Sequence, residues 1–309
     1  MKLLNVICAI FLAVSVIVFM LYNFYLFKIT DKEGPVITID KDLIEVSVND
    51  NRLEWLRGVS ASDIKDGDVS KSLGVESISS FNENMERTVH YVAFDSNNNV
   101  ARAERKLRYT DYEPAVFSLD EPLRFPASLG NTDVLGSVHA WDCLDGDISN
   151  QISFSDNSII YPSVPSDYNI TLVVKNSAGK SEKMPVTVTI YDPQEESACP
   201  SIILKNYLIY IKKGQIIDPF DYIEGIEFNR KEYLFTDGRG TYDIDTSEMT
   251  NEERVQFSKE EPAVGRDKFR ISSEIDSNTP GTYEVKYSID SPEGHSGSVN
   301  LVVVVSGDD

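Results

Sequence analysis

The hydrophobic positions of this chain form one long run at the start and many short alternating stretches afterwards. The run, Leu3 to Phe27, is 25 residues long and contains no charged side chain. Since about 20 apolar residues span a bilayer as an α-helix, the run predicts a transmembrane helix. Tyr22 and Tyr25 lie near its outer end, where amphipathic rings favour the membrane interface.

A cleaved signal peptide is the alternative for this run. Such a peptide has a shorter apolar core and a cleavage site of small residues, whereas residues 22–27 are bulky. The residues before Cys8 also lack the small side chains of a lipoprotein cleavage site. We therefore expect an uncleaved signal anchor over residues 1–29 and a single-pass protein of the cell membrane. The C-terminal domains are expected to be extracellular because of their own character, since the lysines after the helix do not favour that orientation.

Two segments match each other at an offset of 79 residues. Residues 58–68 (GVSASDIKDGD) and 137–147 (SVHAWDCLDGD) both end in the pattern D-x-x-D-G-D. Pro35 and Pro114 keep the same offset, and Asp221–Gly225 offers a third, weaker copy 79 residues after Asp142. An offset that persists over so many positions predicts tandem copies of one structural unit.

Each copy closes with two alternating strands around a polar turn. The first of these strands lies at 88–95, 168–174 and 283–289, and a cluster of Asn, Ser, Gly or Pro follows each one. A period of two buries one face of a strand, and the cluster predicts a hairpin turn. Units of about 80 residues with several short strands are typical of β-sandwiches.

The predicted fold class is all-β, with an N-terminal transmembrane helix followed by tandem immunoglobulin-like β-sandwich domains. The domains are expected at 30–111, 112–193 and 194–309. Thr250–Glu253 has the spacing of a helix capping box, and it predicts one short helix. That helix lies in Ile226–Pro280, which is longer than its counterparts and is interpreted as an elaboration of the third domain.

These motifs resemble the bacterial immunoglobulin-like repeats of Gram-positive surface proteins and of some pesticidal crystal proteins. That family has a proline-led first strand, a D-x-x-D-G-D turn and a Y-x-V-x-Y-x-V-x-D-x-x-G-N hairpin. Residues 34–192 match well and 200–306 loosely, while the first unit has Arg87 for the leading Tyr and Asn98 for the Gly. The matching positions are Asp63, Asp66, Gly67 and Asp68; Asp142, Asp145, Gly146 and Asp147; Tyr168, Ile170, Leu172, Val174, Asn176 and Gly179; and Tyr283, Val285, Tyr287, Ile289 and Gly294. The resemblance implies surface display, spacing or adhesion rather than catalysis.

The formal net charge of −21 narrows the range of partners. An acidic surface repels phosphate backbones, so we expect no nucleic-acid partner, and cationic partners or divalent metal ions fit better. The three cysteines are too few for a disulfide framework. Cys143 and Cys199 are expected at opposite poles of the second domain, too far apart to pair.

The sequence carries no recognisable catalytic motif. His90, His139 and His295 have no metal-ligand partner at short spacing, and HExxH, GxSxG and P-loop patterns are missing. The segment 294–297 (GHSG) is similar to a serine-protease loop, but it coincides with the third predicted hairpin turn. We therefore expect no enzyme, with an activity hidden in Ile226–Pro280 as the alternative.

Trp141 is predicted to point outward, because alternation turns Val138 and Ala140 inward. An outward Trp beside an acidic turn suits a ligand-stacking site, such as one for sugar. The alternative is packing against a neighbouring domain, a common use of Trp.

Five carboxylates are predicted to meet at the junction before the second domain, where they would repel one another unless a cation intervened. They are Asp111, Glu113, Asp142, Asp145 and Asp147. Ca²⁺ accepts six to eight oxygen ligands in loose geometry, which makes it the candidate cofactor. The alternative is that the aspartates shape the turn by bonding to backbone amides, with Gly146 at positive φ. Asp31 and Glu33 precede the first domain in the same way.

An anchor followed by sandwiches without a catalytic constellation predicts a surface-exposed adhesive or structural rod. Its ligand would be a protein or a cell-surface glycan. The alternative is an accessory subunit of a cell-envelope or secretion complex, because a rod of three units is short.

Overall fold

The computed structural model describes residues 2–29, 32–128, 133–155, 158–242, 244, 247 and 249–307. The chain forms two compact units, Met1–Tyr112 and Glu113–Asp309. Strands dominate both units outside the N-terminal helix, which confirms the predicted all-β fold of tandem sandwiches. Each predicted domain contains one pair of sheets, although the domain boundaries themselves stay predictions.

Helix α1 spans Lys2–Ile29, as the apolar run predicts. Its segment Val6–Tyr25 has a mean hydropathy of 2.5 over 20 residues, and none of it is buried. A helix of this length and composition can cross a membrane, although a signal sequence near the N-terminus would meet the same criteria.

The first unit continues with seven strands in two sheets. In chain order they are β1 (Val36–Ile39), β2 (Leu43–Val46), β3 (Val59–Asp63), β4 (Gly67–Asp68), β5 (Gly74–Ile78), β6 (Glu86–Phe94) and β7 (Val100–Tyr109). One sheet has the order β1-β3-β4 and the other β2-β7-β6-β5.

The second unit holds two further sandwiches, one after the other in the chain. The second sandwich consists of β8 (Val116–Leu119), β9 (Arg124–Pro126), β10 (Val138–Asp142), β11 (Gly146–Asp147), β12 (Ser153–Phe154), β13 (Ser166–Lys175) and β14 (Ser181–Tyr191). After the short helix α2 (Pro193–Glu196), the third sandwich consists of β15 (Ser201–Leu204), β16 (Leu208–Lys212), β17 (Ile223–Phe228), β18 (Lys231–Thr236), β19 (Ala263–Gly265), β20 (Phe269–Ser273), β21 (Gly281–Asp290) and β22 (Ser296–Ser306). Helix α3 (Asn251–Phe257) lies between β18 and β19.

The first two strands of every sandwich belong to different sheets. Strands β1, β8 and β15 pair antiparallel with β3, β10 and β17, whereas β2, β9 and β16 pair in parallel with β7, β14 and β22. The start of each sandwich thereby joins both sheets before the closing hairpin is added. This two-sheet arrangement is of the immunoglobulin-like type.

Alternation along the closing hairpins builds the three cores. In each of β6, β13 and β21, three alternate residues point inward and are at most 3% exposed: Val89, Tyr91 and Ala93; Ile170, Leu172 and Val174; and Val285, Tyr287 and Ile289. Apart from Ala93, the residues of each set lie in a separate cluster of buried side chains, one per sandwich. The hairpin turns place Asn98, Gly179 and Gly294 at positive φ, which explains why Asn replaces Gly in the first unit.

The leading tyrosine of the hairpin motif fastens the start of its strand. The hydroxyl of Tyr168 donates to the carbonyl of Val164 at 2.9 Å, and that of Tyr283 donates to Thr279 at 2.9 Å. In the first sandwich Arg87 replaces the tyrosine, and its Nε donates to the carbonyl of Ser79 at 2.7 Å. The start of this strand is therefore held in all three sandwiches by a side-chain hydrogen bond, from a tyrosine hydroxyl in two of them and from an arginine in the first.

The predicted third copy of the aspartate turn is wrong. Asp221 lies in a 3-10 turn, Pro219–Tyr222, and Gly225 lies inside β17. The turn that follows the corresponding strand is formed instead by Asn229 and Arg230, both at positive φ. The offset of 79 residues fails here because the third sandwich begins later in the chain: β15 starts 85 residues after β8 (Ser201 and Val116), whereas β8 starts 80 residues after β1 (Val116 and Val36).

The predicted elaboration is shorter than expected. Its first part forms β17 and β18, which are core strands, and the extra chain begins after Thr236. The predicted helix is confirmed as α3, whose capping box joins Thr250 and Glu253. The added segment also brings β19, which pairs in parallel with β18.

The second and third sandwiches pack through their strand faces. Val302, in the middle of β22, is 3% exposed and lies in the core cluster of the second sandwich, where Leu208 also packs. The backbone N–H of Phe117 donates to the hydroxyl of Tyr210 at 2.7 Å, and that of Thr187 donates to Glu284 at 2.6 Å. Apolar burial and hydrogen bonds together join the two sandwiches into one unit.

We predict that Val302→Asp loosens this contact without unfolding the third sandwich. A charge placed among buried apolar side chains is costly, so the sandwiches separate and the Phe117 amide loses its acceptor. Hydrogen exchange of the full chain should show faster exchange at Phe117. The control is Leu234→Asp, which adds the same charge at a position that is 59% exposed and should leave Phe117 unchanged. Equal protection of Phe117 in both variants would contradict the packing.

Candidate functional site

The first aspartate of the second D-x-x-D-G-D turn is buried. Asp142 ends β10 and is 0% exposed. Its Oδ1 accepts the backbone N–H groups of Leu144 and Asp145 at 2.9 and 3.2 Å, and its Oδ2 accepts the Nδ2 of Asn176 at 3.0 Å. A buried carboxylate is tolerated only with such donors. Asp142 therefore shapes the turn and ties it to the closing hairpin.

The second aspartate makes the same tie from the surface. Asp145 accepts the backbone N–H and the hydroxyl of Ser177, each at 2.6 Å. Ser177 lies in the turn between β13 and β14, so the carboxylate joins two turns that are 32 residues apart in sequence. Hydrogen bonds to a charged acceptor are stronger than those between neutral groups.

The third aspartate begins the next short helical turn. Asp147 Oδ1 accepts the backbone N–H and the hydroxyl of Ser149 at 3.0 and 2.6 Å. The Oγ of Ser149 in turn accepts the backbone N–H of Ala140 at 3.0 Å. Gly146, between the second and third aspartates, has φ +74°, which favours glycine.

The first sandwich repeats most of this arrangement, with Asp95 in place of Asn176. Asp63 Oδ1 accepts the N–H groups of Lys65 and Asp66, Asp66 accepts the N–H and hydroxyl of Ser96, and Asp68 accepts the N–H of Ser70. A motif that builds the same contacts twice has a structural role in both places. We refer to the two sets together as the aspartate corners.

These hydrogen bonds lower the pKa values of three of the corner carboxylates. The N–H groups of Asp66 and Lys65 lower the pKa of Asp63, and the bonds from Ser70 and Ser149 lower the pKa values of Asp68 and Asp147. A carboxyl group whose folded pKa is depressed stabilises the fold above its unfolded pKa, near 3.9. That stabilisation is lost as the pH falls through the depressed values, so these three carboxylates stop stabilising the fold in acid.

The other two predicted calcium ligands lie apart from this turn along the chain. Asp111 lies next to the last residue of the first unit, where its carboxylate accepts the Ser47 hydroxyl at 2.7 Å and the Val48 N–H at 2.8 Å. These bonds lower the pKa of Asp111. Glu113 begins the second unit, and its carbonyl accepts the thiol of Cys143 at 3.1 Å. Asp31 lies outside the described residues.

The structure brings Asp142, Asp145 and Asp147 together on one turn. Among the residues that it describes, no group of three or more His, Cys, Asp or Glu side chains is placed to hold a metal ion. The contacts are those that the turn-shaping alternative predicts, while calcium binding by the five carboxylates stays a prediction.

Trp141 points outward as predicted and is 60% exposed, while Val138 and Ala140 are buried. It pairs across the sheet with Val116 on one side and Asp147 on the other. Its ring contacts the space beside Gly146 that a Cβ would occupy, at 3.5 Å. Trp141 does not belong to the contact between the second and third sandwiches described above. Both the stacking and the packing hypothesis stay open.

Two predicted features outside the turn have plain structural roles. The segment 294–297 forms the third hairpin turn, with the N–H of His295 donating to Ser291, which supports the turn over a protease loop. Cys143 and Cys199 are free thiols, beside Glu113 at the start of the second sandwich and beside Glu195 after its last strand. These positions agree with the expectation that the two do not pair.

One surface feature could not be found from the sequence. The outward faces of the second and third sandwiches border an open cleft of about 700 Å³. Its walls come from strands more than 80 residues apart, such as β13 and β22. The sequence signal was weak: polar residues occupy the outward positions of strands, as they do on any solvated face.

The comparisons with known proteins are distant. No family model matches the chain. An uncharacterized 81.3 kDa protein of Acholeplasma phage L2 is 28% identical over 151 residues, which is 45% of this chain and 19% of that protein. The match covers about a fifth of that relative's length, and it assigns no function to this chain.

Similar solved structures include domains of a clostridial protein, a protocadherin extracellular domain and a lipoprotein. The CBM51-2 and INT domains from Clostridium perfringens ZmpB, in complex with GlcNAc, are 15% identical, with a TM-score of 0.20 over 48% of this chain and 26% of that chain. The protocadherin GammaB4 extracellular domain is 14% identical, with a TM-score of 0.19 over 89% and 50%. The lipoprotein BT2262 from Bacteroides thetaiotaomicron is 12% identical, with a TM-score of 0.23 over 61% and 98%. Likenesses at this level carry no argument about function.

We predict that Asp142→Ala destabilises the second sandwich by about 3 kcal/mol, because it leaves buried donors without an acceptor. The measurement is urea unfolding of the full chain, followed by the fluorescence of Trp141 in a Trp55→Phe background. Asp221→Ala is the matched control, since the offset of 79 residues pairs it with Asp142 but no aspartate turn forms there. It should change stability by less than about 0.5 kcal/mol. Equal effects of the two substitutions would refute the corner.

The calcium hypothesis makes a separate prediction about thermal unfolding. If the five carboxylates bind Ca²⁺, 1 mM calcium should raise the Tm of the full chain above its value in chelator. At about 100 times the dissociation constant the ion adds about 2.7 kcal/mol of stability. The rise should vanish in Asp145→Ala with Asp147→Ala. A Tm that is the same with calcium and with chelator, or a rise that the double variant keeps, would leave the aspartates as turn-formers.

Proposed function

We propose that this chain is a membrane-anchored, surface-displayed binding protein that acts without catalysis. Helix α1 supplies a segment that can span a bilayer, and the described residues after it form sandwiches built on structural turns. The motif carboxylates that a catalytic or metal site would use are occupied by hydrogen bonds of the fold itself. Membrane attachment and surface display are part of the proposal.

We favour the adhesive form of this function over the spacer form. A spacer gains reach when its domains meet at their ends, whereas the second and third sandwiches contact each other through Val302 and Tyr210 in the middle of strands. Packing through strand faces makes the pair of sandwiches shorter than end-to-end packing would, and it gives the pair a broad continuous surface. A protein or cell-surface glycan is the ligand that fits an acidic, exposed surface of this kind.

The same face-to-face packing favours a second candidate, an accessory subunit of a cell-envelope or secretion complex. A joined pair of sandwiches can hold a fixed position against neighbouring proteins in a membrane assembly. Pull-down of the full chain from native membranes in mild detergent separates the two candidates. Stoichiometric membrane partners support the subunit, and recovery of the chain alone supports the adhesin.

Protease added to intact cells tests the display itself. We predict that it removes the sandwiches and leaves a fragment of a few kilodaltons in the membrane. The control variant, Leu12→Arg with Val16→Arg, places charges in the middle of the apolar helix at about 2.5–3.5 kcal/mol each and should abolish anchoring. A mature N-terminus beyond residue 20 would show that the helix is a cleaved signal and would contradict the anchor.

A further inference from the structure

The cleft between the second and third sandwiches has two polar walls. One wall is the outward face of β13 and β14, with Asp167, Asn169 and Thr187. The other is the outward face of β20, β21 and β22, with Glu284, Lys286 and Asn300. The volume of about 700 Å³ falls in the range of small-molecule sites, roughly 300–1,000 Å³, which occur preferentially at domain interfaces.

The polar groups of the cleft are held in place before any ligand arrives. Glu284 accepts the Thr187 N–H at 2.6 Å through one oxygen and the Asn300 Nδ2 at 3.2 Å through the other. Asp167 accepts the hydroxyl of Thr189 at 2.7 Å, and the Nζ of Lys286 lies 3.7 Å from its other oxygen. A ligand therefore meets fixed polar groups, which reduces the entropy lost on binding.

The lining selects against three classes of ligand. An apolar molecule would strip water from hydroxyls, amides and carboxylates without replacing their hydrogen bonds. An anion would meet Asp167, Glu274 and Glu284, and Lys286 is the one cationic side chain among the described residues of the lining. A bare metal ion uses acceptors alone and would leave the amide and ammonium donors unused.

A neutral saccharide satisfies the mixture of donors and acceptors. Each of its hydroxyl groups both donates and accepts, as the amides of Asn169 and Asn300 do. Pro185 of β14 also lines the cleft and is exposed, so its ring adds a small apolar surface to the polar wall. The C–H face of a sugar ring can pack against such a surface.

We propose that this cleft is a binding site for neutral saccharides. The inference rests on the proposed function, because a displayed protein meets saccharides at cell surfaces. It assigns the ligand contact to the joined outward faces of β13, β14, β20, β21 and β22. The aspartate corners and Trp141 are not part of it.

The test measures binding of defined saccharides to the full chain in lipid nanodiscs, which avoids sugar-based detergents. The neutral probes are maltotriose, cellotriose and N,N′,N″-triacetylchitotriose, and the anionic probe is a hyaluronan tetrasaccharide. Saturation-transfer NMR and calorimetry should show that at least one neutral probe binds one-to-one. Asn169→Ala and Glu274→Gln should each weaken that binding about tenfold, which is the effect of about 1.4 kcal/mol. Glu232→Gln, an exposed carboxylate on the opposite sheet of the third sandwich, should not weaken it.

Three results would overturn the proposal. They are no binding of any neutral probe, binding that Asn169→Ala and Glu274→Gln leave intact, and equal binding of the anionic probe. Failure of the site is distinguishable from failure of display. Loss of saccharide binding leaves the protease result on intact cells unchanged, whereas an ectodomain that is not exposed on cells still binds the saccharide in nanodiscs.

Discussion

The first two sandwiches of this protein depend on how a carboxylate is buried at the end of a strand. Asp142 is fully buried, and an uncompensated charge in that position would cost several kcal/mol. The chain compensates it locally, with two N–H groups of the turn and with Asn176 from the closing hairpin. The turn between two early strands is thereby fixed to the hairpin that completes the fold. The structural role of these aspartates in the fold is therefore enough to explain the acidic motif, without any ligand.

Once the corners hold the turns, the outward faces of the strands are free to take on other roles. The second and third sandwiches use them to contact each other, where Val302 replaces the polar residue expected on an outward face. Next to that contact the same faces carry Asn169, Glu284 and Asn300, which stay polar and border the cleft. One part of these outward faces therefore packs against the neighbouring sandwich, and another part borders the proposed binding cleft. Neither role requires a change in the core.

The local pattern of the chain predicted the fold well. Alternation and turn residues identified the closing hairpins, and the capping box at Thr250 identified α3, because both depend on neighbours in sequence. The prediction of a third aspartate turn at Asp221 was wrong, since the later start of β15 shifts the corresponding strand and the offset alone cannot reveal that shift. The face-to-face contact through Val302 could not be predicted either. An alternating strand does not show which outward face another sandwich will cover, and the cleft depends on that contact.

The D-x-x-D-G-D motif has two interpretations. Either the protein's own hydrogen-bond donors hold the turn, or the aspartates form a site around an ion. A double-mutant cycle between Asp145 and Ser177, measured by urea unfolding of the full chain in chelator, tests this most directly. The Ser177 hydroxyl donates to Asp145 at 2.6 Å, so Asp145→Ala and Ser177→Ala should be non-additive by about 0.5–1 kcal/mol without any metal. Additive effects in chelator, with coupling that returns when calcium is added, would contradict the account.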